Sequence, residues 1–135
     1  MTAPHDATLM QMLVRQYISA METDDVEGVK RLSRDPATLE YPGGLKFPSV
    51  ERLLEWSKTR HKGIRHMIED IRIIASGKDA VAYVDGILRG TWMDDTTFEG
   101  IRFIYKFDIS GDCITYTRLW SDVADTILKK GRTTI

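Results

Sequence analysis

The chain has 135 residues, 42% hydrophobic and 29% charged, with 19 Lys and Arg against 20 Asp and Glu, a formal charge of −1. That composition predicts one globular domain over residues 1–135, with a core at about 6–127 and a short C-terminal tail, and excludes a disordered or fibrous chain. Near-neutral charge gives no drive toward nucleic acid, the longest apolar run (Ala80–Val84) is too short for a membrane span, and one cysteine with three histidines makes neither a disulfide nor a Cys/His zinc site.

The first third has helical periodicity. Asp6 is the expected N-cap of a helix whose stripe is Met10, Leu13, Val14, Tyr17, Ile18 and Met21. After Thr23, Asp24 and Glu27 form a variant capping box for a short second helix with Val26, Val29 and Leu32 on one face, stopped by Pro36. Ala37–Tyr41 is a short strand ended by Pro42-Gly43-Gly44. Ser49 caps a third helix carrying Val50, Leu53, Leu54 and Trp56, with cations in its last turn and Gly63 at its C′ position.

From Ile64 the period becomes that of strands. Ile64–Ala75, Ala80–Met93, Thr97–Ile109 and Cys113–Val123 are separated by hairpin-length turns, which predicts an antiparallel meander. Strands this long must curl, and Gly86, Gly90 and Gly100 suit bends or bulges. Three helices on the concave side complete an α+β cone whose open end is a small-molecule pocket.

Strand phase nominates the polar residues of that pocket. Val81, Tyr83, Asp85, Ile87 and Arg89 share one phase, and Ile114, Tyr116, Arg118, Trp120 and Asp122 another. Placed inside, Asp85 and Asp122 face a shared ligand position as acids or bases of raised pKa; placed outside, they belong to a solvated face. Tyr41 at a strand end is a candidate hydrogen-bond donor, and His66, in phase with Ile64 and Ile68, a candidate acid or base. His5 and His61 are assigned to solvent and Tyr17 to the core stripe. Phe98, Ile101, Phe103, Ile104, Tyr105 and Phe107 put apolar side chains in both phases of one strand, which predicts a homodimer through the outer sheet face.

The order of elements, with the Thr23-Asp24-Asp25-Val26-Glu27-Gly28 break and the loop-flanked short strand, resembles the SnoaL-like, nuclear transport factor 2-like superfamily over roughly Asp6 to Ile127. That resemblance implies the cone fold, a homodimer, and either small-molecule chemistry or ligand binding. Arg15-Gln16-Tyr17 is similar to the segment bearing the catalytic tyrosine of ketosteroid isomerases, with Tyr41 where their base aspartate stands and Phe103 at the second acid. Glu40-Tyr41, Asp85 and Trp120-Ser121-Asp122-Val123-Ala124-Asp125 resemble the acid and water-orienting segments of limonene epoxide hydrolase, with Tyr83 in place of its arginine. Arg65-His66-Met67 resembles the strand start bearing a catalytic histidine in scytalone dehydratase, and Asp122 is the nearest match to the last-strand carboxylate of SnoaL cyclases.

The expectation is a cytoplasmic, cofactor-free and metal-free acid–base enzyme acting on a small, largely apolar molecule, by dehydratase-, lyase- or isomerase-type proton abstraction. Asp122, Asp85, His66 and Tyr41 are the expected catalytic residues, and Tyr17, Arg89, Arg118, Trp120 and Phe103 the expected substrate contacts. Hydrolysis of an epoxide by paired aspartates, or ligand binding without chemistry, are the alternatives.

Overall fold

The computed structural model of the chain describes residues 7–123 and Ile127. The first periodic segment forms α1 (Ala7–Glu22), whose expected stripe is buried from Met10 to Met21. Its expected cap, Asp6, and the tail at 128–135 lie outside the described residues. Asp24 adopts left-handed backbone at φ 56°, so the N-cap of α2 (Val26–Arg31) falls to Asp25, one residue later than the capping box predicts. The Asp25 carboxylate accepts from the Gly28 N–H at 3.0 Å. A Cβ on Gly28 would lie 2.3 Å from that carboxylate, so a glycine is what allows the cap.

Strand β1 (Ser33–Tyr41) starts earlier than expected, and Pro42-Gly43-Gly44 turns it into a three-residue partner, β2 (Leu45–Phe47). Ser49 caps α3 (Val50–Lys58) as expected, accepting from the Arg52 N–H at 3.2 Å. The helix ends sooner than predicted, at Thr59, whose hydroxyl bonds the Trp56 carbonyl at 2.6 Å. Gly63 therefore lies inside β3 (His61–Ser76) and not at a helix end.

Strands β3, β4 (Asp79–Trp92), β5 (Thr97–Ser110) and β6 (Cys113–Ser121) form the expected meander. The full sheet has six strands in the order β2-β1-β6-β5-β4-β3 and is mixed, because β1 runs parallel to β6. A parallel neighbour needs a long crossover, here the whole stretch from α3 through the meander.

Bulges set which side chains face inward. Gly100, at φ 75°, inserts a bulge in β5, so Phe98 and Ile101 both point inward although they are three positions apart. In β6, Ile114 pairs with Ile109 and Tyr116 with Asp108, which leaves Thr115 as an extra residue and reverses the phase behind it. Ile114, Thr117 and Leu119 face the core, whereas Arg118 and Trp120 face out. One hydrophobic cluster joins the inner face of the sheet (Leu39, Val84, Leu88, Ile101, Phe107 and their neighbours) to the stripes of α1 and α3. Among the described residues no helix is long and apolar enough to cross a membrane.

Candidate active site

The last residue of α1, Glu22, follows Ile18 by one helical turn and so lies on the buried stripe. Its carboxylate meets the start of β3, where Oε2 accepts from His66 Nδ1–H at 2.8 Å and from the His66 backbone N–H. Burial works to raise the Glu22 carboxyl, but the side-chain and backbone hydrogen bonds from His66 outweigh it and hold the pKa below the usual glutamate range. An ionised carboxylate can only accept, so it fixes the His66 proton on Nδ1 and leaves Nε2 as an acceptor. The His66 side chain is 5% exposed and lies edge-on to Phe103 at 5.1 Å.

Nε2 faces the Tyr105 hydroxyl at 3.3 Å, and that hydroxyl faces the Tyr41 hydroxyl at 3.4 Å. The result is a continuous polar path, Glu22–His66–Tyr105–Tyr41, through a largely apolar interior. The two phenol links are long, as catalytic hydrogen bonds often are before a ligand closes on them. Burial pushes both phenols far above the usual tyrosine range, so each is neutral and can donate. Tyr17 stands apart from the path: its hydroxyl accepts from Thr117 Oγ1 at 3.0 Å and its ring meets Phe107 edge-on at 5.4 Å.

Tyr41 is where the path reaches open space. It lines a cavity of about 470 Å³ with Trp56, Ile64, Leu88, Trp92, Phe98 and Leu119, and with Arg60, His61 and Ser121 as further polar groups. The volume suits a small organic ligand. Trp92 and Phe98 lie 4.2 Å apart with their planes tilted by 34°, and Tyr41 meets Trp56 edge-on at 6.2 Å. His61 bonds Ser57 Oγ through Nε2 at 3.1 Å, and burial pushes its imidazole below the usual histidine range. The sequence assignment of His61 to solvent is corrected, because the early end of α3 brings it to the cavity wall.

The structure divides the expected site residues between the two faces of the sheet. Tyr41 lines the cavity and His66 stands behind it; Tyr17 and Phe103 are inner-face core residues that pack near the path without lining the cavity. Asp85, Arg89, Arg118, Trp120 and Asp122 all lie on the outer face and are removed from the interior site. Asp122 Oδ2 accepts from Arg102 Nε at 2.5 Å, and Arg118 Nε from across the strand reaches Glu40 Oε2 at 2.5 Å while covering the Trp120 ring at 4.6 Å. Asp85 and Asp122 do share a depression of about 430 Å³, but it lies outside, with Arg102, Ile104 and Trp120. The physical reason is the Thr115 bulge: Ile114 is buried as its apolar character requires, and one extra residue then turns its apparent phase-mates outward.

Sequence reasoning missed Glu22 and Tyr105. A lone carboxylate on the apolar stripe of α1 was the available signal for the first. Tyr105 is a phenol in phase with Phe103 and Phe107 on a buried strand face, a pattern also produced by simple packing. Among the described residues no three His, Cys, Asp or Glu side chains converge as a metal site.

No protein-family model matches the chain, and no curated protein matches it in sequence. In three dimensions it is similar to a nuclear transport factor 2-like protein of unknown function from Burkholderia pseudomallei, with 18% identity, a TM-score of 0.71, and coverage of 90% of this chain and 96% of that one. It is similar to a candidate polyketide cyclase from Xanthomonas campestris pv. campestris at 15% identity and a TM-score of 0.68, over 90% of this chain and 96% of that one. A candidate ketosteroid isomerase from Shewanella frigidimarina gives 14% identity and a TM-score of 0.67, over 80% of this chain and 91% of that one. At such identities the likeness establishes the fold, which is the α+β, SnoaL-like and nuclear transport factor 2-like fold expected from the order of elements.

Proposed function

We propose that the protein is an acid–base enzyme that moves a proton to or from a small, largely apolar organic molecule, in an isomerase-, cyclase- or lyase-type reaction. One observation carries this reading: a hydrogen-bonded path leads from an apolar cavity to a buried His–Glu pair. Similarity to candidate cyclases and isomerases supports the reaction class. The half-buried Asp85 and Asp122 lie on the outer face, away from the apolar cavity, so epoxide hydrolysis is not proposed.

The path works as a relay. With Nδ1–H held by Glu22, Tyr105 donates to His66 Nε2 and Tyr41 donates to Tyr105, which leaves the Tyr41 oxygen free to accept a proton from a ligand. As that proton arrives, Tyr41 passes its own to Tyr105 and Tyr105 passes its own to Nε2. The charge comes to rest on His66 beside the Glu22 carboxylate. Reversal delivers a proton from His66 to a ligand oxygen at Tyr41. Neither phenol holds a negative charge before or after the transfer, in keeping with their strongly raised pKa values. The His61 imidazole on the same cavity wall, kept neutral by burial, is placed to take a proton from a ligand carbon.

The test uses 2-tetralone, an apolar bicyclic ketone, and follows deuterium exchange at its α-carbons by NMR. Enzyme-accelerated exchange that falls on the order of 100-fold in His66→Asn supports the relay. Absence of any acceleration favours a cavity that binds without chemistry. We further propose a homodimer through the outer face, on the strength of Met67, Ile104 and Trp120, which are 52%, 46% and 42% exposed there. Its motive is narrower than the sequence implied, since the Gly100 bulge turns Phe98 and Ile101 inward and leaves Ile104 as the outward apolar residue of β5. A monomeric mass by light scattering at micromolar concentration would count against it.

A further inference from the structure

The cavity is apolar apart from a few groups, and those groups are not balanced in charge. Among its described lining residues there is no carboxylate, and the one permanent cation is Arg60. Arg60 follows the end of α3, is exposed, and has no ion-pair partner among the described residues. Its guanidinium is nevertheless held in place, 5.1 Å from the centroid of the Trp56 ring. A cation stacked on an indole is more ordered than a free surface arginine and keeps its N–H groups for another acceptor.

Trp56 connects this cation to the relay. Tyr41 meets the same indole edge-on at 6.2 Å, so the Tyr41 ring and the guanidinium are no farther apart than 5.1 Å and 6.2 Å laid end to end. A molecule of up to roughly two rings with a polar group at each end stays within that limit, and a cavity of about 470 Å³ accommodates it. The Trp92 and Phe98 rings, in contact at 4.2 Å and tilted by 34°, add aromatic surface on the wall. Rings of this kind favour stacked or edge-on contact with a planar ligand over packing against a bulky aliphatic one.

We infer that the substrate is a flat, conjugated organic anion, with its charged oxygens at Arg60 and its reacting oxygen at Tyr41. The inference rests on the reading of this cavity as the substrate site and adds the chemical class of what it takes. Conjugation also serves the chemistry, because it delocalises the electron pair left when a proton is removed. Arg60 is joined to the relay only through the Trp56 ring and makes none of its hydrogen bonds, so it selects and orients the ligand and takes no part in the proton transfer.

The experiment compares 6-hydroxy-2-naphthoate with its methyl ester by isothermal titration calorimetry on the full chain. The acid should bind about tenfold tighter than the ester at low salt, and the preference should shrink as salt screens the pair. Arg60→Met should bring acid and ester to within about twofold of each other, while Arg60→Lys should keep part of the preference. Tyr41→Phe should weaken both compounds alike and leave their ratio unchanged. Circular dichroism of each variant confirms that the fold is retained. Equal affinity of acid and ester in the parent protein, a preference that survives Arg60→Met, or no binding of either compound overturns the inference. An Arg60-dependent preference in a protein that exchanges no proton of 2-tetralone would leave this inference standing and remove the catalytic reading alone.

Discussion

On its outer face the sheet pairs Asp122 with Arg102 at 2.5 Å and Asp70 with Arg72 at 2.8 Å, with every partner well exposed. On its inner side the carboxylate of Glu22 meets His66 at 2.8 Å, with side chains 18% and 5% exposed. The chemistry of the two kinds of pair is alike, yet their environments give them different consequences. Outside, water and salt screen the charges, and such pairs contribute about 0–1 kcal/mol each. Inside, the carboxylate accepts from a histidine largely shielded from water and fixes its tautomer, and that histidine connects through two neutral phenols to a cavity. An acid residue acquires a role here from what surrounds it and not from its neighbours in sequence.

The contrast should be sharpest in stability. Phe107 is fully buried, stacked on Tyr105 at 5.0 Å and edge-on to Tyr17, so Phe107→Ala should cost about 3–5 kcal/mol in urea unfolding. Ile104→Ser, three residues away on the outer face, should stay within about 0.5 kcal/mol. A larger loss at Ile104 that grows with protein concentration would show that a second copy covers this face.

Activity should follow the same division. His66→Asn removes the relay's proton store and should slow 2-tetralone exchange on the order of 100-fold. Tyr105→Phe interrupts the path and Glu22→Gln removes the counter-charge, and each should cost on the order of 10-fold, as should Tyr41→Phe. Asp85→Asn and Asp122→Asn, by contrast, should leave the rate within about twofold. If an outer-face aspartate matters as much as His66, the division of the sheet into chemical and solvated faces fails. Exchange that survives dialysis against a chelator would agree with proton transfer by side chains alone.

The pH dependence of stability should come from the inner side. The Glu22 pKa is lower in the fold than its ordinary 4.5, so its contribution is complete above that pH and is lost as pH falls through the folded value. Burial holds His61 below its ordinary 6.5, so the unfolded chain binds the proton first and stability declines as pH drops below 6.5. Both groups therefore act in the same direction, and acid destabilises. Urea midpoints at about pH 7.5, 5.5 and 4 should show a decline that His61→Asn softens in the upper interval and Glu22→Gln in the lower one. An unchanged profile in both variants would place the acid sensitivity elsewhere.

Much of the fold was determined by neighbours along the chain. The stripe from Met10 to Met21, the Ser49 cap and the turn residues between the four long strands act over a few residues, and each formed where its pattern lies. Tyr41 and His66 were legible for the same reason, since each lies two residues from an apolar side chain that also turns away from water, Leu39 for the first and Ile64 and Ile68 for the second. The tertiary structure alone decided the rest. Thr115 is one extra residue among the nine of β6, yet it turned Arg118, Trp120 and Asp122 to the solvent side, because strand faces alternate with every residue. The parallel seam between β1 and β6 and the contact of Glu22 with His66, 44 residues apart, have no local pattern to announce them. Such contacts form because α1 must bury its stripe against the curled sheet, and that packing brings the last residue of the helix to the histidine.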